Sequence, residues 1–168
     1  RNIPKKVECP PLAGLVFWSF FSNAVSAASN SMVVNEGIIK KVYFPKLILP
    51  ISSVAISFID FCINCVILFF FAVFLGFYPS LLGLIIFPVA IAVTAITSAG
   101  VGFFLASVNV KYRDVRYILP FFIQIFLFLT PVIYPLTIIS DRNKYIMALN
   151  PMTSVVESVR TVFSHGQL

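Results

Sequence analysis

Charge is scarce in this sequence. Only 11% of its 168 residues are Asp, Glu, Lys or Arg, against 60% hydrophobic residues. No charged residue falls within 9–35, 61–110 or 117–140. A water-soluble globule of this length needs far more polar surface, so that class is excluded. Histidine is nearly missing too: His165 stands alone, close to the end. Acid–base chemistry needs a positioned carboxylate or imidazole within reach of water, and the sequence holds neither paired carboxylates nor a histidine cluster. An integral-membrane transferase is therefore disfavoured, and no catalytic residue is assigned. The three cysteines, Cys9, Cys62 and Cys65, make no disulfide framework. Cys62 and Cys65 have CxxC spacing inside an apolar run; small packing residues are the plainer reading, because a metal or redox site wants more ligands. No metal or cofactor is expected in the chain. No GxxxxGK(S/T) loop occurs, so the chain cannot hold ATP by that device. Strand-like alternation is absent, which excludes a membrane barrel.

What is present is long apolar sequence. A helix needs about 20 apolar residues to cross a bilayer core of about 30 Å. The run 61–110 is too long for one crossing, and GFYPS at 76–80 is a turn signal inside it. Four spans follow: 12–32, 48–75, 81–108 and 116–136. They must be helical, because lipid offers backbone amides no partner. The expected fold is all-α, a polytopic membrane protein. The formal net charge of +6 suits contact with anionic lipid or an acidic partner. Nucleic acid is not expected as a partner, since Lys and Arg sit in short loops between apolar runs.

Each segment has its own chemistry. The first span is rich in Ser, Ala and Asn, which suits close helix packing, and Trp18 is a candidate interfacial anchor. At 34–50, VNEGIIKKVYFPKLILP is too charged for lipid and too apolar for an ordinary loop. Glu36, Lys40, Lys41 and Lys46 mix there with Ile38, Ile39, Tyr43 and Phe44, and Pro45 ends any helix. Two readings stay open: a basic amphipathic anchor on the membrane surface, or a helix that docks on a partner. In the second span, Ser53, Ser57, Asp60 and Asn64 share one helical face. A mid-span Asp costs roughly 2.5–3.5 kcal/mol, so Asp60 is expected to face protein or water, as part of a polar hub between helices or, more sharply, of an ion relay. In the third span, Ala90, Thr94, Ser98, Gly102 and Ala106 form a small-residue stripe for close approach of another helix, within the chain or at a dimer seam. A charged turn follows, with Lys111, Arg113, Asp114 and Arg116 beside Tyr112 and Tyr117. The fourth span is aromatic: Phe121, Phe122, Phe126 and Phe128, with Gln124 its one amide. Phe facing lipid is the plain reading, and stacking on a sugar ring is the functional one. Pro131 and Pro135 should break or bend its far end. In the tail, Asn150–Pro151 looks like a helix start, and Val155, Val156, Val159 and Phe163 recur at helical spacing opposite Glu157 and Arg160.

The loops 34–46 and 109–117 share one side of the membrane and carry six Lys or Arg, but the two chain ends carry six as well. The positive-inside rule alone is therefore a tie.

Four segments, IIKKVYFPKLILP (38–50), NVKYRDVRYILPF (109–121), LTPVIYP (129–135) and LNPMTSVVESVR (149–160), resemble the permease subunit of ABC-type polysaccharide exporters in order and spacing. The closest likeness is to the O-antigen type, related to capsule and teichoic-acid exporters. The resemblance implies six spans per subunit, two subunits per pore, and a separate ATPase that holds ATP and Mg on the cytoplasmic side. It implies a location in the bacterial inner membrane and a lipid-linked polysaccharide as substrate. The chain, which opens on Arg1, is then expected to be a piece containing spans two to five. The resemblance also makes both basic loops cytoplasmic and 1–11 and 137–168 external. Glu36, Ile38, Ile39, Lys40, Lys41, Tyr43, Phe44, Pro45 and Lys46 would form the coupling helix that docks on the ATPase. Lys111, Tyr112, Arg113 and Asp114 would form the turn near the gate. Phe121, Phe122, Gln124, Phe126 and Phe128 would line the pore, and 137–168 would form short re-entrant helices at its outer mouth. An ABC-type permease for a small drug or lipid is the alternative. A passive channel is a further one, but it would not need a docking helix.

Overall fold

A computed structural model describes residues 9–41, 43, 45–74, 81–112, 114–130 and 151–164. Among the described residues the regular structure is helical throughout: α1 (Cys9–Val34), α2 (Glu36–Ile39), α3 (Ile48–Phe74), α4 (Leu81–Lys111), α5 (Val115–Leu129) and α6 (Pro151–Ser164). Among the described residues, three stretches are long and apolar enough to cross a membrane: Leu12–Val34, Ile48–Phe74 and Ile85–Lys111. The ends at Val34, Ile48 and Lys111 lie beside charged residues, because desolvating a charge in lipid is costly, whereas the break between Phe74 and Ile85 falls within a charge-free run, at the GFYPS turn signal.

The expected fourth span, 116–136, differs. Its helix α5 runs only from Val115 to Leu129, and residues 131–136 lie outside the described ones. Fifteen residues rise about 22 Å, short of the roughly 30 Å core. Thr130 caps the helix in an extended conformation, φ −85° and ψ 129°. The next residue in sequence is proline, whose ring disfavours α geometry in the residue before it. Pro120, by contrast, lies inside α5 without ending it. The missing N–H leaves one carbonyl of the first turn unbonded, which is tolerable near a helix start.

α1 is the hub; α3, α4, α5 and α6 all pack on it. An aromatic knot fixes the first contact. Phe17 meets Phe61 edge-on at 5.0 Å and Phe87 at 5.9 Å, while Phe20 stacks on Phe61 at 4.4 Å. Each such pair is worth about 0.5–1.5 kcal/mol beyond area burial. In lipid this matters more than usual, because apolar surface gains little from burial there and packing must hold helices together.

The small-residue stripe of α4 faces into the chain. Ala90, Thr94, Ser98, Gly102 and Ala106 are all buried. A Cβ added at Gly102 would lie 2.9 Å from the Ala28 Cβ of α1, so that glycine sets how closely the two backbones approach. The hydroxyls on the stripe stay satisfied within their own helix. Thr94 donates to the Ala90 carbonyl at 2.6 Å and Ser98 to the Thr94 carbonyl at 2.7 Å. α6 lies at the other end of the same pair: its Val155 and Val159 join the core with Ala13, Phe17 and Ala90.

Trp18 is not an interfacial anchor. It is 6% exposed and packs with Met152 and Val156 of α6, against Ile123 and Leu127 of α5. A lone Trp at helical depth is ambiguous in sequence, and here the valine face of α6 covers it.

Candidate functional site

Among the described residues, the exposed lysines gather at one end of the bundle. The ends of α1 and α4 meet there, joined by Asn109. This side chain is fully buried and donates through Nδ2 to the Ser29 carbonyl at 3.0 Å, with Ser29 Oγ at 3.4 Å and Asn30 Oδ1 at 3.5 Å. Two loops leave from this junction, one after each helix.

The loop after α1 is less helical than its composition promised. The helix expected within 34–46 is a single turn, Glu36–Ile39, with no buried residue. Gly37 raises the entropic cost of helix there, one turn pays the full nucleation cost, and Pro45 brings no N–H to extend it. Asn35 closes the junction by donating from Nδ2 to the Ser31 carbonyl at 2.7 Å. Lys40 pairs with Glu36 at 2.7 Å. Ile38, Lys40, Lys41, Tyr43, Pro45 and Lys46 are exposed, and Ile39 is half-buried. Phe44 lies outside the described residues. The result is a short hydrophobic and basic knob standing clear of the helices.

The loop after α4 is a tight turn. The Tyr112 N–H bonds back to the Val108 carbonyl at 2.8 Å, and the Val115 N–H to the Tyr112 carbonyl at 3.2 Å. Lys111 sits 5.3 Å from the Tyr112 ring centre, and the Arg116 guanidinium 5.0 Å from that of Tyr117. Arg116 also donates to the Tyr117 hydroxyl at 3.3 Å. Tyr112 and Asp114 are exposed, and Arg113 lies outside the described residues.

On α5, Phe121, Phe122, Gln124, Phe126 and Phe128 are all exposed on the surface of the described chain. The buried side of that helix is made instead by Leu119, with Ile123 and Leu127 half-buried. Phe122 and Phe126 also border an apolar cleft of about 760 Å³ between α5 and the α1–α4 pair, reached by Trp18, Val25 and Phe104.

The polar stripe of α3 is not a hub within the described chain. Ser53 and Ser57 donate to carbonyls of their own helix, at 3.0 and 3.1 Å, while Asp60 and Asn64 are exposed. The core face of α3, through Phe61 and Cys65, lies about a quarter turn from that stripe. Among the described residues, no group of three His, Cys, Asp or Glu side chains could hold a metal ion.

Gly102 takes the close-packing part that its place in the small-residue stripe gave it, but Asn109 was not singled out by sequence reasoning for the part it takes. Asn109 opens the NVKYRD segment, but attention to charge passed over an uncharged amide at the end of an apolar run.

Long, apolar, closely packed helices define a polytopic all-α membrane protein. The chain belongs to the ABC-2 type transporter family, whose sequence profile matches residues 11–164. It is 29% identical over 157 residues to the O-antigen export system permease protein RfbA of Myxococcus xanthus, covering 92% of this chain and 60% of that protein. It is 27% identical over 157 residues to an O-antigen export system permease protein RfbA of Klebsiella pneumoniae, covering 94% of this chain and 61% of that protein. The chain thus spans about three fifths of the length of the curated relatives it matches.

Proposed function

We propose that this chain is the larger part of the permease subunit of an ATP-driven exporter that carries a lipid-linked polysaccharide, of the O-antigen kind, across the bacterial inner membrane. The observation that carries the reading is the similarity to two O-antigen export permeases over more than nine tenths of the chain. ATP and Mg belong to a separate ABC ATPase, because this sequence has no phosphate-binding loop of its own. That ATPase docks on the exposed knob at 36–46. Its apolar and basic side chains, Ile38, Lys40, Lys41 and Tyr43 among them, suit a groove with an acidic rim. Both basic loops are then cytoplasmic. A second copy of the subunit completes the pore, and the Phe-rich face of α5 lines it. An aromatic, nearly charge-free wall gives a sugar chain stacking surfaces without strong binding sites.

A permease for a lipid or small drug is the second reading, and the apolar cleft beside α5 favours it. One experiment separates the two. The full-length subunit is purified together with the ATPase encoded beside it, and cells lacking the subunit are analysed for surface glycan. Co-purification with loss of long surface polymer supports the exporter. Co-purification with unchanged polymer keeps the machine and rejects the substrate. No bound ATPase rejects the permease reading. Tyr43→Ala with Phe44→Ala is expected to weaken co-purification at least tenfold, as loss of an aromatic anchor does, with membrane insertion unchanged.

A further inference from the structure

Asn109 joins two segments 80 residues apart in sequence. It is fully buried, as is Ser29, and the seam around them is made of small side chains down to the Gly102–Ala28 contact. The knob begins at Glu36, six residues past Asn30, and the charged turn begins two residues past Asn109. A push on the knob therefore enters the bundle at two points: α3, where the Ile48 N–H bonds to the Pro45 carbonyl at 3.1 Å, and α1, close to where it is bonded to α4. α5 is held differently. Its outer half rests on Trp18, but a cleft of about 760 Å³ separates it from the α1–α4 pair. Packed seams resist deformation, whereas a cleft leaves room for a helix to move.

We infer that Asn109 is a positioning residue that locks the cytoplasmic ends of α1 and α4 into one rigid unit, so that the knob and the charged turn are displaced together and α5 moves against them. The inference rests on the permease reading above. It assigns the conformational change to the joint at Tyr112–Asp114 and the cleft, not to bending within α1 or slippage along the seam. The backbone carbonyl of Ser29 matters in particular. The Asn109 amide caps a carbonyl that faces the seam, so an apolar side chain there removes the bond and leaves only packing.

The test uses the full-length subunit with its ATPase in lipid vesicles. Spin labels replace Ala27 and Ser107, both exposed near the junction, and a second label pair replaces Phe104 of α4 and Ile118 of α5, which both line the cleft. On trapping ATP with vanadate, the Ala27–Ser107 distance is expected to stay fixed while the Phe104–Ile118 distance changes. Asn109→Leu is expected to make the first distance shift or broaden on trapping, with ATP hydrolysis retained and polymer exported per ATP reduced about tenfold, the scale of one lost hydrogen bond. A first distance that changes in the unmodified protein overturns the inference, and so does an Asn109→Leu protein with unaltered distances and export. Loss of ATPase co-purification by Asn109→Leu also overturns it, since the lock acts after docking. Should Asn109→Leu fail to insert, Asn109→Asp decides. Its carboxyl can donate to Ser29 only when protonated, so export per ATP must rise as pH falls, relative to the unmodified protein. A flat profile refutes the lock. Failure of the unmodified subunit to bind any ATPase refutes the permease reading instead.

Discussion

Replacing Gly102 by alanine adds one methyl group, and the structure says where it goes. The new Cβ lies 2.9 Å from the Ala28 Cβ, with the Ala24 carbonyl at 3.7 Å and the Val25 Cα at 3.8 Å. Carbon atoms sit comfortably at about 3.5–4.0 Å, so α1 and α4 must part by roughly 0.6–1 Å at this level. Ala28 has no flexible tip to swing away, and both helices are pinned elsewhere by Phe17, Phe61 and Asn109. Overpacking of this kind costs about 1–3 kcal/mol, a shift of about 5- to 150-fold in the folded-to-unfolded ratio. Gly100, two residues earlier in the same helix, has nothing within 4 Å of an added Cβ. Alanine there gains helix propensity and should be neutral or stabilising by up to about 1 kcal/mol. Equilibrium unfolding of the full-length subunit in mixed detergent micelles, titrated with dodecyl sulfate, reads both. Ala28→Gly combined with Gly102→Ala should recover most of the loss. Equal behaviour of the two glycine variants, or no recovery in the pair, would show that the α1–α4 seam is not as close as described.

Trp18→Ala removes the ring that holds α6 and the outer half of α5 together, at about 3–5 kcal/mol for a large buried aromatic. A cysteine placed at Met152 should then react faster with a thiol reagent, and an unchanged rate would contradict the packing. Glu36→Gln breaks the 2.7 Å pair with Lys40, but both side chains are partly exposed, so stability should change by no more than about 0.5 kcal/mol. Weaker ATPase binding by that variant, read by co-purification at unchanged unfolding, would then report a direct contact and not a misfolded knob. Asp60→Leu removes an exposed mid-span carboxylate and should favour insertion of α3 by about 3 kcal/mol in a glycosylation-mapped insertion assay. Export that survives the change would exclude an ion relay through Asp60.

The long helices were legible because lipid enforces a simple rule: the apolar runs had to be helical, and their edges had to lie near charges or turn signals. The bounds of α3 follow from Lys46 on one side and the GFYPS signal on the other. The stop of α5 at Thr130 was also written in the sequence, one residue before Pro131, yet hydropathy alone carries the span past it. Packing partners were less legible. The stripe from Ala90 to Ala106 announces close approach to some helix, and nothing local says that the helix is α1. Trp18 could have sat at an interface equally well until the valine face of α6 was placed over it. The knob was visible as a mixture of charge and apolar residues, but its helical extent was overestimated, because Gly37 and the cost of starting a helix outweigh amphipathic spacing in so short a segment. Asn109 was hidden for a different reason. A buried amide bonded to a backbone carbonyl 80 residues away leaves no periodicity.

That separation has a consequence for biosynthesis. α1 carries Ser29, Asn30, Ser31 and several other small polar residues, and the amide that answers Ser29 is translated 80 residues later. At about 5–20 residues per second, the ribosome needs roughly 4–16 s to supply it. For that interval α1 has its Ser29 seam without its α4 partner, while α3 is made. A nascent subunit stalled before α4 would therefore present an unfinished Ser- and Asn-bearing helix, which gives membrane quality control a feature by which to distinguish the incomplete chain from the finished one.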